Sequence, residues 1–270
     1  MVMAIDGTTI TGSIPLGKTR GVHLVAAYLP EAGVVLAQLA VDCKEHEIVV
    51  MPTLLACLDL NGPVVVGAAL QTQRASSAQI LAQGGDYLWF VKENQSTLLA
   101  HIEERFVPPP ITPGHAAPAR DFRQASKVDK GHAWREARKI TVSSMRAGYG
   151  EWPGLEQVFK LERWVRQAGK GDSYAVRYGV TSLPKQVAGP RQLLKIARAA
   201  WGIENGLHYR RDVTLEEDAG QIRRGGAPQV LAALNNVVVS FLGQAGESNL
   251  PDLQRTFDYH FDRFLARRVL

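Results

Sequence analysis

The sequence predicts an α/β protein: a mixed sheet with flanking helices, and a β-rich insertion ahead of the last helices. Three observations carry this. Over residues 1–106, apolar runs of strand length alternate with stretches of helical periodicity. Over residues 107–190 the chain turns to proline- and glycine-punctuated loops with short strand-like runs. Over residues 191–270 helical periodicity returns. The expected division is a core in two parts, 1–106 and 191–270, around the insertion 107–190.

A chain of 270 residues with 46% hydrophobic side chains can bury a large core, which excludes disorder as its main state. The formal charge of +5 and the pI near 9.3 point toward a polyanionic partner. Cys43 and Cys57 stand in apolar surroundings without CxxC spacing, so they read as reduced core thiols rather than as a disulfide or a zinc site. The first residues carry no basic segment, and no apolar run reaches the length of a membrane span. The expectation is a cytoplasmic protein that does not enter a membrane.

Taken in order, Val2 to Ile5 reads as a buried strand that delivers Asp6 at its end, although Asp6-Gly7 can equally close a turn. Val22 to Leu29 and Val34 to Val41, linked by Pro30-Glu31-Ala32-Gly33, form an antiparallel hairpin. His46 to Leu60 is helical, with Pro52 tolerated near its start. Pro63 to Ala69 is apolar throughout and reads as a central strand parallel to the first. A helix over Thr72 to Gln83, a strand over Tyr87 to Val91 and a helix over Ser96 to Phe106, with Ser96 as candidate cap, complete the first part.

In the insertion, Lys139 to Val142, Gln157 to Arg166 and Tyr174 to Ser182 are strand-like, and Gly171-Asp172 can turn the last pair into a hairpin. Gln192 to Leu207 reads as one long helix with Leu193, Leu194, Ile196, Ala197, Trp201 and Leu207 near its apolar side. The strongly apolar helix from Gln229 to Leu242 is expected in the core. A final amphipathic helix from about Asn249 carries Arg255, His260, Arg263, Arg267 and Arg268.

Chemistry collects between Arg198 and Asp218. Arg198, Trp201, Glu204, His208 and Arg211 are spaced by three and four, which places them along one helix face. One carboxylate thus sits among cationic and aromatic side chains, a pattern that a solvated, ion-paired helix also shows. The residues Trp201, Gly202, Ile203, Glu204, Asn205, Leu207, His208, Asp212, Val213, Glu217 and Asp218 form a string. It resembles the segment carrying the catalytic glutamate in bacterial insertion-sequence transposases of the DDE type, in the H-repeat-associated branch. The opening is similar too: Ala4, Ile5, Asp6, Gly7, Gly12 and Ser13 match, while Thr8 and Thr11 replace basic residues. Ala69, Leu70, Thr72 and Gln73 fit the family's second motif, whose aspartate position is here Ala68. Lys92-Glu93-Asn94-Gln95 matches K-x-N-Q. Asp129, Lys130, Gly131, His132, Glu136 and Arg138 match a further motif, with Trp134 in place of an arginine.

The resemblance implies an RNase H-like fold, which the order strand, strand, strand, helix, strand, helix, strand also matches. It implies Asp6 and Glu204 as metal-binding acids, position 68 as the third member, and Mg2+ or Mn2+ as cofactor. Two such ions activate water or a DNA 3′-hydroxyl and stabilise the leaving oxygen in line. Ala68 offers no oxygen, so metal binding is expected to weaken and strand cleavage and transfer to be impaired. The implied partner is double-stranded DNA, at element ends and target. Lys92, Asn94, Arg198, Trp201, His208, Arg211, Arg223 and Arg224 are the candidate contacts, Trp201 being expected to pack rather than to stack on a base. A homodimer is implied by the family alone. Family members carry a further segment ahead of the Asp6 strand, so the resemblance implies a truncated copy or an excised piece. The alternative function is a non-catalytic DNA-binding regulator derived from a transposase.

Overall fold

The computed structural model describes residues 1–41, 47–107, 120–145, 152–246 and 249–259. Cys43, and the basic residues expected beyond Tyr259, lie outside them. The expected mixed α/β fold is the one formed, with a large mixed sheet and flanking helices. By compactness the chain divides into two units, neither continuous in sequence: Met1–Ile5 with Ile48–Ala200, and Asp6–Glu47 with Trp201–Leu270.

In the first unit, the start of β1 (Val2–Thr9) pairs in parallel with β4 (Val64–Gly67), and β4 with β5 (Asp86–Val91). Val64, Val65 and Val66 are buried, as a central parallel strand requires. The last registered pair is Ile5 with Gly67. Gly67 has no room for a side chain, since a Cβ there would lie 2.8 Å from the Trp89 ring. Trp89 stacks on Tyr87 at 5.8 Å and donates its indole N–H to Ser77 Oγ at 2.9 Å, so it is fully satisfied in the core.

Helix α1 (Glu47–Ala56) contains Pro52 in its interior rather than in its first turn, and α2 (Arg74–Ala82) buries Ser76, Ser77 and Ile80. Helix α3 (Ser96–Phe106) has the expected bounds. Ser96 does not cap it: Gln95 holds the cap position without a side-chain bond, and its amide instead donates to Thr72 O at 3.0 Å. Cys57 is exposed rather than packed in the core. No helix among the described residues is long and apolar enough to cross a membrane.

The β-rich stretch forms β6 (Arg123–Gly131), β7 (Trp134–Ser143), β8 (Gln157–Gln167) and β9 (Gly171–Thr181). These antiparallel strands continue the same sheet, because β9 pairs with β5, giving the order β1-β4-β5-β9-β8-β7-β6 within this unit. The β8–β9 hairpin turns at residues 168–170, one step before the expected Gly171-Asp172, with Gly169 at φ +79°. Helix α4 (Pro190–Ala199) opens with proline at its first position and buries Leu193, Leu194, Ile196 and Ala197.

The second unit holds the hairpin β2 (His23–Leu29) and β3 (Val34–Val41), with strand order β3-β2-β1. Helix α5 (Ala227–Gln244) lies on β3, and α6 (Leu250–Tyr259) adds Leu250 and Leu253 to a cluster with Leu242. The buried side of α5 carries Ala232, Asn235, Asn236, Val239 and Leu242. Its other side exposes Val230, Leu234, Val237 and Val238, so the expected core helix keeps much of its apolar surface in solvent.

The expected long helix over Gln192 to Leu207 is interrupted. Helix α4 ends at Ala199, and the chain resumes as π-wound segments, Glu204–His208 and Arg210–Thr214. Two glycines account for the local weakness. They are also required by the packing: a Cβ on Gly202 would lie 2.6 Å from Pro30, and one on Gly206 would overlap the Tyr28 hydroxyl.

Candidate metal centre

Asp6 is not in a turn. β1 runs through Asp6-Gly7 to Thr9, and Gly7 is needed because the space of its missing side chain is filled by Glu47 Oε1 and His23 Nε2. His23 and Glu47 are buried and bonded at 2.7 Å, and Thr9 Oγ1 meets the other ring nitrogen of His23 at 2.7 Å. A paired carboxylate and imidazole thus underlie the strand beside Asp6, each holding the other's orientation.

Asp6, Glu204 and His208 come together within the second unit, with one ligand atom from each inside 4.8 Å of the others. The strand supplies Asp6 and the first π-wound segment supplies both Glu204 and His208. Glu204 is exposed, the Asp6 side chain is 31% exposed and that of His208 is 3% exposed. His208 Nε2 stands 3.9 Å from Asp6 Oδ2, too far for a hydrogen bond. Among the described residues, neither ring nitrogen of His208 has a hydrogen-bond partner. Leaving a buried polar atom unsatisfied costs about 1–3 kcal/mol. Burial, then the Arg211 guanidinium and His23, push the His208 pKa down to about 4, so near neutrality the ring is uncharged and its lone pair is available. Two carboxylates and a neutral imidazole are a donor set suited to a divalent ion.

Arg211, Glu217 and Asp218 of the motif bond within the protein. Arg211 is fully buried, its Nε 3.0 Å from Glu217 Oε2 and its Nη1 3.0 Å from Gln38 Oε1. Its second terminal nitrogen bonds Glu217 Oε1, and Asn235 donates to Glu217 at 2.8 Å. Expected among the DNA contacts, Arg211 is here buried and paired with Glu217 rather than presented to solvent. Asp218 Oδ1 accepts the Thr11 N–H at 2.7 Å, which ties the turn after the π-wound segments to the segment after β1. Asp212 is half-buried, and burial followed by Asp218, Glu217 and Glu204 raises its pKa to about 7 against the opposing pull of Arg211.

The other expected site residues divide between the units. In the first, Lys92 is exposed, and Asn94 donates its amide to Ala69 O at 2.7 Å, closing its own loop. Arg198 pairs with Asp129 at 2.9 Å. Ala68 is exposed and occupies the cap position of the 3-10 turn Ala69–Gln71. In the second, Trp201 is half-buried, and Arg223 and Arg224 are exposed, with Arg223 Nε donating to Gly12 O at 3.2 Å. Sequence reasoning placed His208 among DNA contacts, whereas the structure turns it inward to the acids. The four-residue spacing from Glu204 was the signal for this placement.

Asp6 from the first strand and Glu204 from a late π-wound segment thus meet at one cluster of ligand atoms. Residues 1–225 match the transposase DDE domain model, and the chain belongs to that family. It is 32% identical over 248 residues to YncI of Escherichia coli O157:H7, which carries a transposase name, covering 89% of this chain and 61% of the relative. It is 29% identical over 249 residues to YhhI of Escherichia coli strain K12, named as an H repeat-associated transposase, covering 89% and 64%. The chain thus spans less than two thirds of the length of these relatives. Among solved structures, the piggyBac transposase in a synaptic complex with hairpin DNA aligns with a TM-score of 0.47 at 9% identity, over 99% of this chain and 54% of that one.

Proposed function

We propose that this chain is the strand-cleavage and transfer domain of an insertion-sequence transposase, weakened by the missing acid at position 68. The observation that supports this best is the meeting of Asp6 and Glu204, remote in sequence, at one cluster of ligand atoms. Asp6 and Glu204 hold Mg2+ or Mn2+, which when bound supplies a polarised phosphate and an activated nucleophile. The chain's own part is to fix Asp6 on a strand backed by the His23–Glu47 pair, and to place Glu204 on the segment anchored by Arg211 and Glu217. Lys92, Arg223 and Arg224 supply backbone contacts to double-stranded DNA, and two copies pair on element ends, a reading that rests on the family resemblance alone.

The test compares this chain with Ala68→Asp for nicking of duplex DNA in Mg2+ or Mn2+. Ala68 is exposed and caps a turn without a side-chain bond, so an aspartate fits there without burial. Nicking that appears only with aspartate supports the assignment, by a factor of several orders of magnitude in rate. Two inert proteins that nonetheless bind duplex favour the second reading, a DNA-binding regulator. The side chain present at position 68, a methyl group, is the observation behind that reading.

A further inference from the structure

We propose that His208 is a protein ligand of this metal site, coordinating through Nε2, and that the site therefore prefers Mn2+ or another borderline divalent ion over Mg2+. The inference rests on the metal site proposed above and names its third donor. Asp6 and Glu204 alone are an acidic pair of a kind common on protein surfaces. His208 is a separate observation: an almost fully buried imidazole, both nitrogens without a hydrogen-bond partner among the described residues, with Nε2 turned toward Asp6 Oδ2. Buried histidines are ordinarily fixed by a bond from at least one ring nitrogen, as His23 is in this same unit.

The distances suit capture of an ion by small movements. Ligand atoms about 2.0–2.2 Å from a shared ion lie roughly 3–4.3 Å apart, depending on the angle they subtend. Nε2 and Oδ2 at 3.9 Å already fall in that range. The remaining closure, from within 4.8 Å, falls to Glu204, the exposed member of the three. The choice of metal follows from the donor. Mg2+ takes hard oxygen ligands and keeps its waters, whereas imidazole nitrogen suits Mn2+ and the later transition ions progressively better. With Ala68 supplying no oxygen, nitrogen makes up a third of the protein donors placed here.

Pulsed electron paramagnetic resonance on the Mn2+-loaded full chain tests this directly, through the 14N coupling of a coordinated imidazole. Mn2+ and Mg2+ affinities of the wild type, His208→Ala, His208→Gln and Asp6→Asn are measured alongside, with thermal unfolding in the absence of metal as the folding control. The expected result is a 14N coupling in the wild type that His208→Ala abolishes, together with a loss of at least tenfold in Mn2+ affinity and a smaller loss for Mg2+. Mn2+ bound without 14N coupling, with affinity unchanged in His208→Ala but lost in Asp6→Asn, overturns the ligand role of His208 and leaves the carboxylate site standing. A coupling that persists in His208→Ala has the same meaning. A wild type that binds neither ion overturns both this inference and the metal site beneath it. A wild-type spectrum without 14N coupling overturns the inference with no variant needed, and His208→Gln, which keeps a polar side chain without the imidazole, makes the assignment if His208→Ala unfolds.

Discussion

Single residues in the motif around Glu204 divide by their partners into those that face the candidate metal and those bonded within the protein. Arg211 and Glu217 belong to the second kind, buried and mutually bonded through two nitrogens and two oxygens. Removing one partner of such a pair leaves an uncompensated buried charge, at a cost of about 3–5 kcal/mol. Arg211→Ala is therefore expected to lower the urea midpoint sharply. An unchanged midpoint with weakened DNA binding would return Arg211 to the list of contacts. Asp212 gives a pH signature. Its folded pKa, about 7, stands above its ordinary value, so between pH 4 and 7 the folded state holds a proton that the unfolded state has lost, and stability falls as pH rises through that window. His208 acts oppositely: its depressed pKa adds stability as pH rises from about 4 to 6.5, and nothing further above that. The melting temperature of Asp212→Asn minus that of wild type should thus grow from pH 5 to pH 8. A difference flat across that range would show that Asp212 titrates normally in the folded protein.

At the scale of elements, legibility followed whether the deciding contacts were local. The hairpin through Pro30–Gly33 was readable, because Gly33 at φ +68° and its bond to Leu29 O are properties of the loop itself. So was the parallel pairing of β1 with β4, since an uninterrupted run such as Val64–Val66 belongs between two covered faces. The break after α4 was not readable. Gly202 and Gly206 hinted at weakness, but the winding depends on Pro30 and Tyr28, which come from a hairpin far away in sequence. Strand β6 was hidden for a different reason: Arg123–Gly131 is almost wholly polar and is held by its ladder with β7 rather than by burial. In α5 the composition misled. Its apolar residues suggested a core helix, yet Asn235 and Asn236 face inward, where they bond Glu217 and Gln38 at 2.8 and 2.7 Å, and Val230, Val237 and Val238 face out. Of the candidate site, Asp6 and Glu204 were named from the motif, and the structure brings their carboxylates together. For His208 the four-residue spacing from Glu204 gave the shared face, while its inward turn depends on how the π-wound segment meets β1.

For the whole molecule, the proposed function predicts an encounter with DNA, and the net charge of +5 gives it a measurable form. Contacts from Arg or Lys to phosphate release counterions, so the logarithm of the binding constant falls linearly with the logarithm of salt, by about 0.9 per phosphate neutralised on duplex DNA. Arg223 and Arg224 are exposed in the segment just before α5, and Lys92 is exposed just after β5. Arg210 is half-buried and Arg211 sealed, so the exposed side chains should carry the slope. Replacing Arg223 and Arg224 together with alanine is expected to reduce the slope by up to about 2 and to weaken binding alike on every duplex sequence, because phosphate contacts carry no sequence information. Fluorescence anisotropy across a salt series on two unrelated duplexes measures both quantities. A slope unchanged by the double substitution would place the DNA on another face. A loss confined to one duplex would instead show that this loop reads bases. Either result bears on function, since a cleavage domain must hold any target backbone against its metal, whereas a regulator derived from it gains by binding only its own ends.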